Sequence, residues 1–178
     1  MVKITLNKIR QFGPCVPSWE LMLKHKKKTH GDDEPLSFET ILDVNGLDDA
    51  IWCLSVLENN NLELYQLTVQ YLKLIEPLIT DFRSLNALLA MEQYSLTNNN
   101  ENLKEAASAA RKAALETERK GNDLDIKVTN LIATIIEWMS YIEPYKIVDN
   151  VIIWIKELGI KKSEIEEIFR NWVIINNL

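Results

Sequence analysis

The chain has 178 residues, 47% apolar and 26% charged, with five Gly and five Pro. This is globular composition, too apolar for a disordered chain and too poor in Gly and Pro for an all-β protein with its many turns. The net charge of −6 is unevenly laid: residues 1–31 hold seven Lys/Arg and one acid, Glu20, whereas residues 32–178 hold 13 basic and 25 acidic side chains, so a basic nucleic-acid footprint is not expected.

In chain order the apolar spacing is helical nearly throughout. Leu6, Ile9 and Arg10 begin a short helix stopped by Gly13-Pro14. Pro17 opens a second, carrying Trp19, Leu21, Met22 and Leu23 into the Lys-rich run Lys24-His25-Lys26-Lys27-Lys28. His30 to Pro35 reads as a loop, because Gly31 breaks the helix and Pro35 restricts its neighbour. Ser37 is placed to cap a helix bearing Phe38, Ile41 and Leu42, which Asn45-Gly46 ends. Residues 47–58 read as helix, Asn59-Asn60-Asn61 as a turn, and residues 62–75 as helix up to Pro77. Asp81 is the expected cap of a helix through Leu85, Leu88, Leu89 and Met91.

Thr97-Asn98-Asn99-Asn100 is the clearest internal break and is expected to separate two regions, residues 1–97 and 101–178. The segment after it, residues 101–120, is rich in Ala and strongly helix-favouring, with side chains small enough to let a neighbouring helix come close. Gly121 ends it. Leu124, Val128, Leu131, Ile135, Trp138 and Ile142 then recur at alternating spacings of four and three, a heptad-like seam. Pro144 starts a helix with Ile147, Val151, Trp154 and Leu158, ended by Gly159. Ser163-Glu164-Ile165-Glu166 reads as a capping box opening a last helix with Ile165, Ile168, Phe169, Trp172, Ile175 and Leu178 on one face. The expected fold is therefore all-α, a bundle of about eight to nine helices with room for two helical subdomains.

Motifs for catalysis are missing: there is no Gly-rich phosphate loop, no G-x-S-x-G and no H-E-x-x-H. His25 and His30 flank the Lys run with a spacing that suits no common metal pair, and Cys15 has no base beside it in sequence. Cys15 and Cys53 are too few for a disulfide scaffold or a zinc cluster and read as reduced, mostly buried thiols. Asp48-Asp49 fits either paired carboxylates or acids in the first turn of a helix, where the macrodipole favours them. No cofactor and no metal is expected. Carboxylates from separate helices can converge without a local motif, so an enzyme of unrecognised type stays open. The N-terminal MVKITLNKIRQFG lacks the apolar core of a signal peptide, and no apolar run approaches the ~18 residues of a membrane span, so a cytoplasmic protein is expected.

The charge pattern offers a binding surface. Residues 32–72 contain nine acids and no Lys or Arg. Of these, Asp32, Asp33, Glu34, Glu39, Asp43, Asp48 and Asp49 are the candidate contacts to a protein partner with a basic surface. The alternative is a set of solvated helix faces. The broad apolar stripes of the C-terminal helices suggest self-association as a homodimer through Trp138, Ile142, Trp154 and Trp172, or else an ordinary bundle core.

The strings L-N-K-I-R-Q-F-G-P-C (residues 6–15) and D-D-E-P-L-S-F-E-T-I-L-D-V-N-G-L-D-D-A-I-W-C-L (residues 32–54) resemble a family of small bacterial and prophage proteins described as immunity proteins. So do F-R-S-L-N-A-L-L-A-M-E-Q-Y (residues 82–94) and the Ala-rich E-N-L-K-E-A-A-S-A-A-R-K-A-A (residues 101–114). The resemblance covers about residues 4–115; after Gly121 the family often continues with Ala-rich repeats, whereas this chain turns to Ile/Trp-rich helices. It implies a helical protein that inhibits a target by binding it, with no catalytic residues to carry over. Three functions follow as expectations: an inhibitor from a phage or mobile element acting on a bacterial defence or toxin protein, with an anti-CRISPR-like block of a nuclease effector as its most specific form; an immunity protein for a cognate toxin; and a scaffolding helical homo-oligomer.

Overall fold

Helix ends fall where capping chemistry places them in the computed structural model, which describes residues 4–56 and 61–178. Helices make up 75% of it, in ten segments among the described residues, so the class is all-α. Thr5 caps α1 (Leu6–Gln11) by accepting from the Lys8 N–H at 3.1 Å. Ser37 caps α3 (Phe38–Asn45) through the Thr40 N–H, also at 3.1 Å. Pro17 sits in the first turn of α2 (Val16–His25), where its missing N–H removes no helical bond. Gly46 has φ +90°, so the chain reverses and α4 (Leu47–Cys53) starts at once. A 3₁₀ turn at Leu54–Val56 follows α4 in place of the expected continuation of the helix. Residues 57–60, including Asn59 and Asn60 of the predicted turn, lie outside the described residues.

The chain divides into two compact units, one of residues 1–60 with 169–178 and the other of residues 61–168. The expected boundary near residues 97–101 falls inside the second unit. The break there is a tight turn in which Asn98 takes a left-handed conformation (φ 56°) and caps α6 (Phe82–Thr97) before α7 (Leu103–Lys120) packs back on it. It is the corner of a helical hairpin.

Unit 1 contains α1 to α4 and a two-residue antiparallel ladder, β1 (Ile4–Thr5) against β2 (Pro35–Leu36), with Ile4 opposite Leu36 and both buried. The end of α10 (Lys162–Asn176) belongs to this unit: Phe169 meets Phe38 edge-on with ring centres 6.2 Å apart, and Trp172 lies 6.1 Å from Phe169. These aromatics and Ile4, Leu6, Ile41, Leu47, Ile51 and Leu54 form its core.

Unit 2 is a bundle of α5 (Asn61–Lys73), α6, α7, α8 (Asp123–Trp138) and α9 (Pro144–Glu157), completed by residues 162–168 of α10. Asp81 caps α6 as expected, accepting from the Arg83 N–H at 2.8 Å. The Ala-rich α7 packs on both α6 and α8, burying Ala110, Ala113 and Ala114 completely. Tyr65 of α5 donates its hydroxyl to the Met139 carbonyl at 3.0 Å, and burial together with Tyr94 pushes that phenol up to about 12. The α8 helix stops at Trp138, so Ile142, the last member of the predicted seam, lies in the connection before Pro144. The predicted capping box is shifted: Glu164, in the first turn, accepts from the Lys161 N–H at 3.1 Å, and Glu166 instead pairs with Lys162 at 3.4 Å. Ser163 is already inside the helix, because the Lys161 carbonyl takes the first helical bond, from Ile165.

One ion pair makes a prediction on pH. Arg111 of α7 holds Glu137 of α8 with two bonds, 2.8 and 2.5 Å, and keeps that carboxyl below the usual glutamate range. The stabilisation is therefore complete above the ordinary glutamate value of 4.5 and is lost as pH falls through the lower folded-state value. Both side chains remain about one-third exposed, at 38% and 33%, so solvent screens the pair and it contributes about 0.5–1 kcal/mol. Denaturant titrations across pH are expected to show Glu137→Gln weaker than the parent by that amount at neutral pH, with the two curves converging in acid. Parallel curves at every pH would show that the pair contributes nothing.

Candidate functional site

The candidate site is built in unit 1, where short helices leave a cavity of about 340 Å³. Gly13 turns the chain after α1 with φ +68°, and Pro14 and Cys15 lead from it into α2 along one edge of the cavity. Ser18, Trp19 and Met22 line it from α2, Ile41 and Asn45 from α3, and Asp48, Asp49, Trp52 and Cys53 from α4. Met22, Ile41 and Cys53 are buried, while Trp19 and Trp52 are partly exposed.

Asn45 ties the three helices together. Its amide nitrogen donates to the Ser18 carbonyl and to Asp49 Oδ2, each at 2.9 Å. Both amide hydrogens are thus engaged, and its Oδ1 is buried with no hydrogen-bond partner. Asp48 and Asp49 lie in the first turn of α4, Asp48 exposed and Asp49 partly buried. Burial, with the Asp49 charge adding to it, pushes the Cys53 thiol up to about 12, which leaves it protonated and inert near neutrality. Cys15 is exposed rather than buried, and its thiol donates to Ser18 Oγ at 2.9 Å. Among the described residues neither thiol is paired with a base that would activate it.

The other predicted acids also lie on unit 1, and the fold brings cations to four of them. Lys28 bonds Asp32 and also Glu34, the latter at 2.6 Å, and thereby holds the Asp32 carboxyl below the usual range. Arg170, from α10, lies 2.6 Å from Asp43 and 3.8 Å from Glu39. Asp33 and Asp49 are held by neutral amides instead: Asn7 Nδ2 donates to Asp33 at 3.0 Å, and Asn45 serves Asp49. The loop carrying Asp32 and Asp33 lies tight on α1, with the Asn7 N–H donating to the Asp32 carbonyl at 3.0 Å. A Cβ at Gly31 would meet Asn7 Oδ1 at 2.8 Å and the Trp19 ring at 3.2 Å, so those side chains would have to shift to admit one.

Of the four side chains assigned to self-association, Trp138 and Trp154 are partly buried in unit 2, with rings 5.6 Å apart and tilted by 37°. Ile142 is also partly buried. Trp172 is a core residue of unit 1, only 1% exposed, and has no surface to offer a second copy. Its position on an apolar helix face is explained by the aromatic cluster it completes. Sequence reasoning missed an exposed apolar row on α6: Phe82, Leu89 and Leu96 are 71%, 52% and 66% exposed. Their seven-residue spacing, two helical turns apart, was the available signal.

The arrangement is suited to holding a ligand by contact and charge. Among the described residues no group of three or more His, Cys, Asp and Glu side chains is placed to hold a metal ion, and no helix is long and apolar enough to cross a membrane. No family model, no curated protein and no solved structure matches the chain.

Proposed function

We propose that this chain is a non-catalytic inhibitor, carried by a phage or mobile element, that binds a basic bacterial defence or toxin protein in the cytoplasm through acidic side chains of unit 1. The observation that carries this reading is the placement of seven acids, Asp32 to Asp49, on one small unit, where Asp33 and Asp49 accept from the side-chain amides of Asn7 and Asn45. Complementary charge speeds encounter with a basic partner and penalises wrong ones. The sequence resemblance supports the same reading, and its most specific form is an anti-CRISPR-like block of a nuclease effector's basic channel. An immunity protein for a cognate toxin uses the same surface on a different target.

The test is affinity capture from a nuclease-treated bacterial lysate, followed by binding kinetics with the captured protein. Reversing Asp33, Glu39 and Asp48 to Lys is expected to slow association by about tenfold or more at low salt, with the difference shrinking as salt shortens the screening length. Unchanged kinetics in the reversed variant would remove the electrostatic basis of the proposal.

A second reading, a self-associating scaffold, is favoured by the exposed row Phe82, Leu89 and Leu96 together with the Trp138–Trp154 pair. Light scattering on the purified chain decides it, since a strict monomer at high concentration excludes it.

A further inference from the structure

We infer that α6 is the seam of an antiparallel homodimer; the inference is independent of the inhibitor reading and gives the exposed row of the second reading a defined partner and direction. On the outer face of α6, Phe82, Asn86, Leu89, Gln93 and Leu96 recur at spacings of four, three, four and three, the repeat of a coiled-coil seam. All five are exposed, the three apolar ones by more than half. A helix face turned to water ordinarily carries charge. Helix α6 has two charged side chains, both off this row and both already engaged: Arg83 with Asp81 and Glu116 at 2.7 and 2.9 Å, and Glu92 with Lys73. Beside the row, the small side chains of Ala90, Ala106 and Ala109 leave a groove of about 400 Å³ between α6 and α7.

A second copy of the chain matches this face. Phe82, Leu89 and Leu96 of one α6 enter the groove of the other, and the uncharged row buries no ion. Asn86 and Gln93 take the alternate seam positions, where a polar side chain fixes register and orientation at some cost in stability. Their amides have no hydrogen-bond partner among the described residues. Each amide both donates and accepts, so the two satisfy one another across a two-fold axis. Charge sets the direction. Helix α7 runs back along α6, with Glu116 bonded to Arg83 near one end and Glu105 in the groove with Gln93 near the other. Lys112, two turns on from Glu105, is therefore level with Asn86. Glu105 and Lys112 are exposed and in no ion pair among the described residues. A two-fold axis at Leu89 that runs the two α6 helices antiparallel exchanges these levels and brings Glu105 of each copy opposite Lys112 of the other. It also opposes the helix dipoles, whereas a parallel pair aligns them and sets each charge level with its own kind. The α6–α7 face is about 25 Å long and 20 Å wide, on the order of 500 Å² in outline, and side-chain relief brings it toward the roughly 800 Å² per partner of a standard interface.

The experiment is sedimentation equilibrium of the full chain, under reducing conditions that keep the exposed Cys15 from linking copies. A species of twice 20.6 kDa is expected, with a Kd on the order of 10 μM. Leu89→Glu sets two carboxylates at the two-fold axis and is expected to raise that Kd at least about a hundredfold. Helical dichroism should stay unchanged, since the side chain is exposed in the single copy. Ile153→Glu, at an exposed apolar site on α9, should leave the Kd as it is. Lys112→Glu is expected to weaken association several-fold at low salt, and adding Glu105→Lys to restore it. A monomer up to roughly 500 μM, or a dimer indifferent to Leu89→Glu, would overturn the seam. A dimer broken by Leu89→Glu and not recovered by the double charge exchange would overturn the antiparallel direction. The other readings fail separately. A dimer lost in Ile153→Glu and kept in Leu89→Glu retains the scaffold and removes α6 from it. A strict monomer removes the scaffold and leaves the inhibitor reading to the reversal of Asp33, Glu39 and Asp48.

Discussion

Trp172→Ala is expected to destabilise unit 1 by about 3–5 kcal/mol, the range for deleting a large buried aromatic. The ring is 1% exposed and lies 6.1 Å from Phe169, which itself meets Phe38. Truncating it leaves a void bounded by rings that are held on two different segments of the chain, so collapse around the gap is limited. Equilibrium unfolding in denaturant, read by near-ultraviolet dichroism, measures the loss. A cost below about 1 kcal/mol would show that the ring is peripheral to the core, contrary to its burial. Because Trp172 was also a candidate for self-association, the same variant separates the two roles. If the chain oligomerises, Trp172→Ala should alter its stability and leave the contact between copies intact.

The second large effect is expected on α7. Ala114 is fully buried on a helix that packs against both α6 and α8. Ala114→Leu inserts a branched side chain where the backbones have approached over small ones, at a cost of about 1–3 kcal/mol. Ser108→Leu, on the exposed side of the same helix, is the matched control and should stay within about 0.5 kcal/mol of the parent. Equal responses at the two positions would mean that α7 is not closely packed. A polyalanine-like helix has little area of its own to bury, so unit 2 gains from it chiefly through the close contacts it permits to larger neighbours.

What could be read from the sequence was local. The helices follow from apolar spacing, and the caps at Ser37 and Asp81 and the stops at Gly46, Gly121 and Gly159 follow from side-chain and backbone chemistry that acts within a few residues. What escaped was set by distance along the chain or by competition between near-equal local options. The β1–β2 ladder is two residues long on each side, too short for any alternation to register. Arg170 reaches Asp43 across 127 positions, so a stretch that is purely acidic in sequence is partly neutralised in space. At the start of α10, Glu164 and Glu166 were both able to take part in a capping arrangement, and the fold selected Glu164 with Lys161. The cavity was illegible for a similar reason. Trp19, Asn45 and Trp52 each look like ordinary packing residues alone, and only the turns at Gly13 and Gly46 bring α2, α3 and α4 around a common space.

The division of α10 between the units has a consequence for synthesis. Residues 169–178 supply Phe169 and Trp172 to a core whose other members lie before residue 57. On the ribosome the first unit is made early, and then all of residues 61–168 must be translated before its last aromatic pieces exist. At ordinary elongation rates that interval is roughly 5–20 s, long compared with the folding of a small helical bundle. Unit 2 therefore has time to form while Phe38 still waits for Phe169. In a growing polypeptide the core of unit 1 is thus completed only once the second half of α10 has been made.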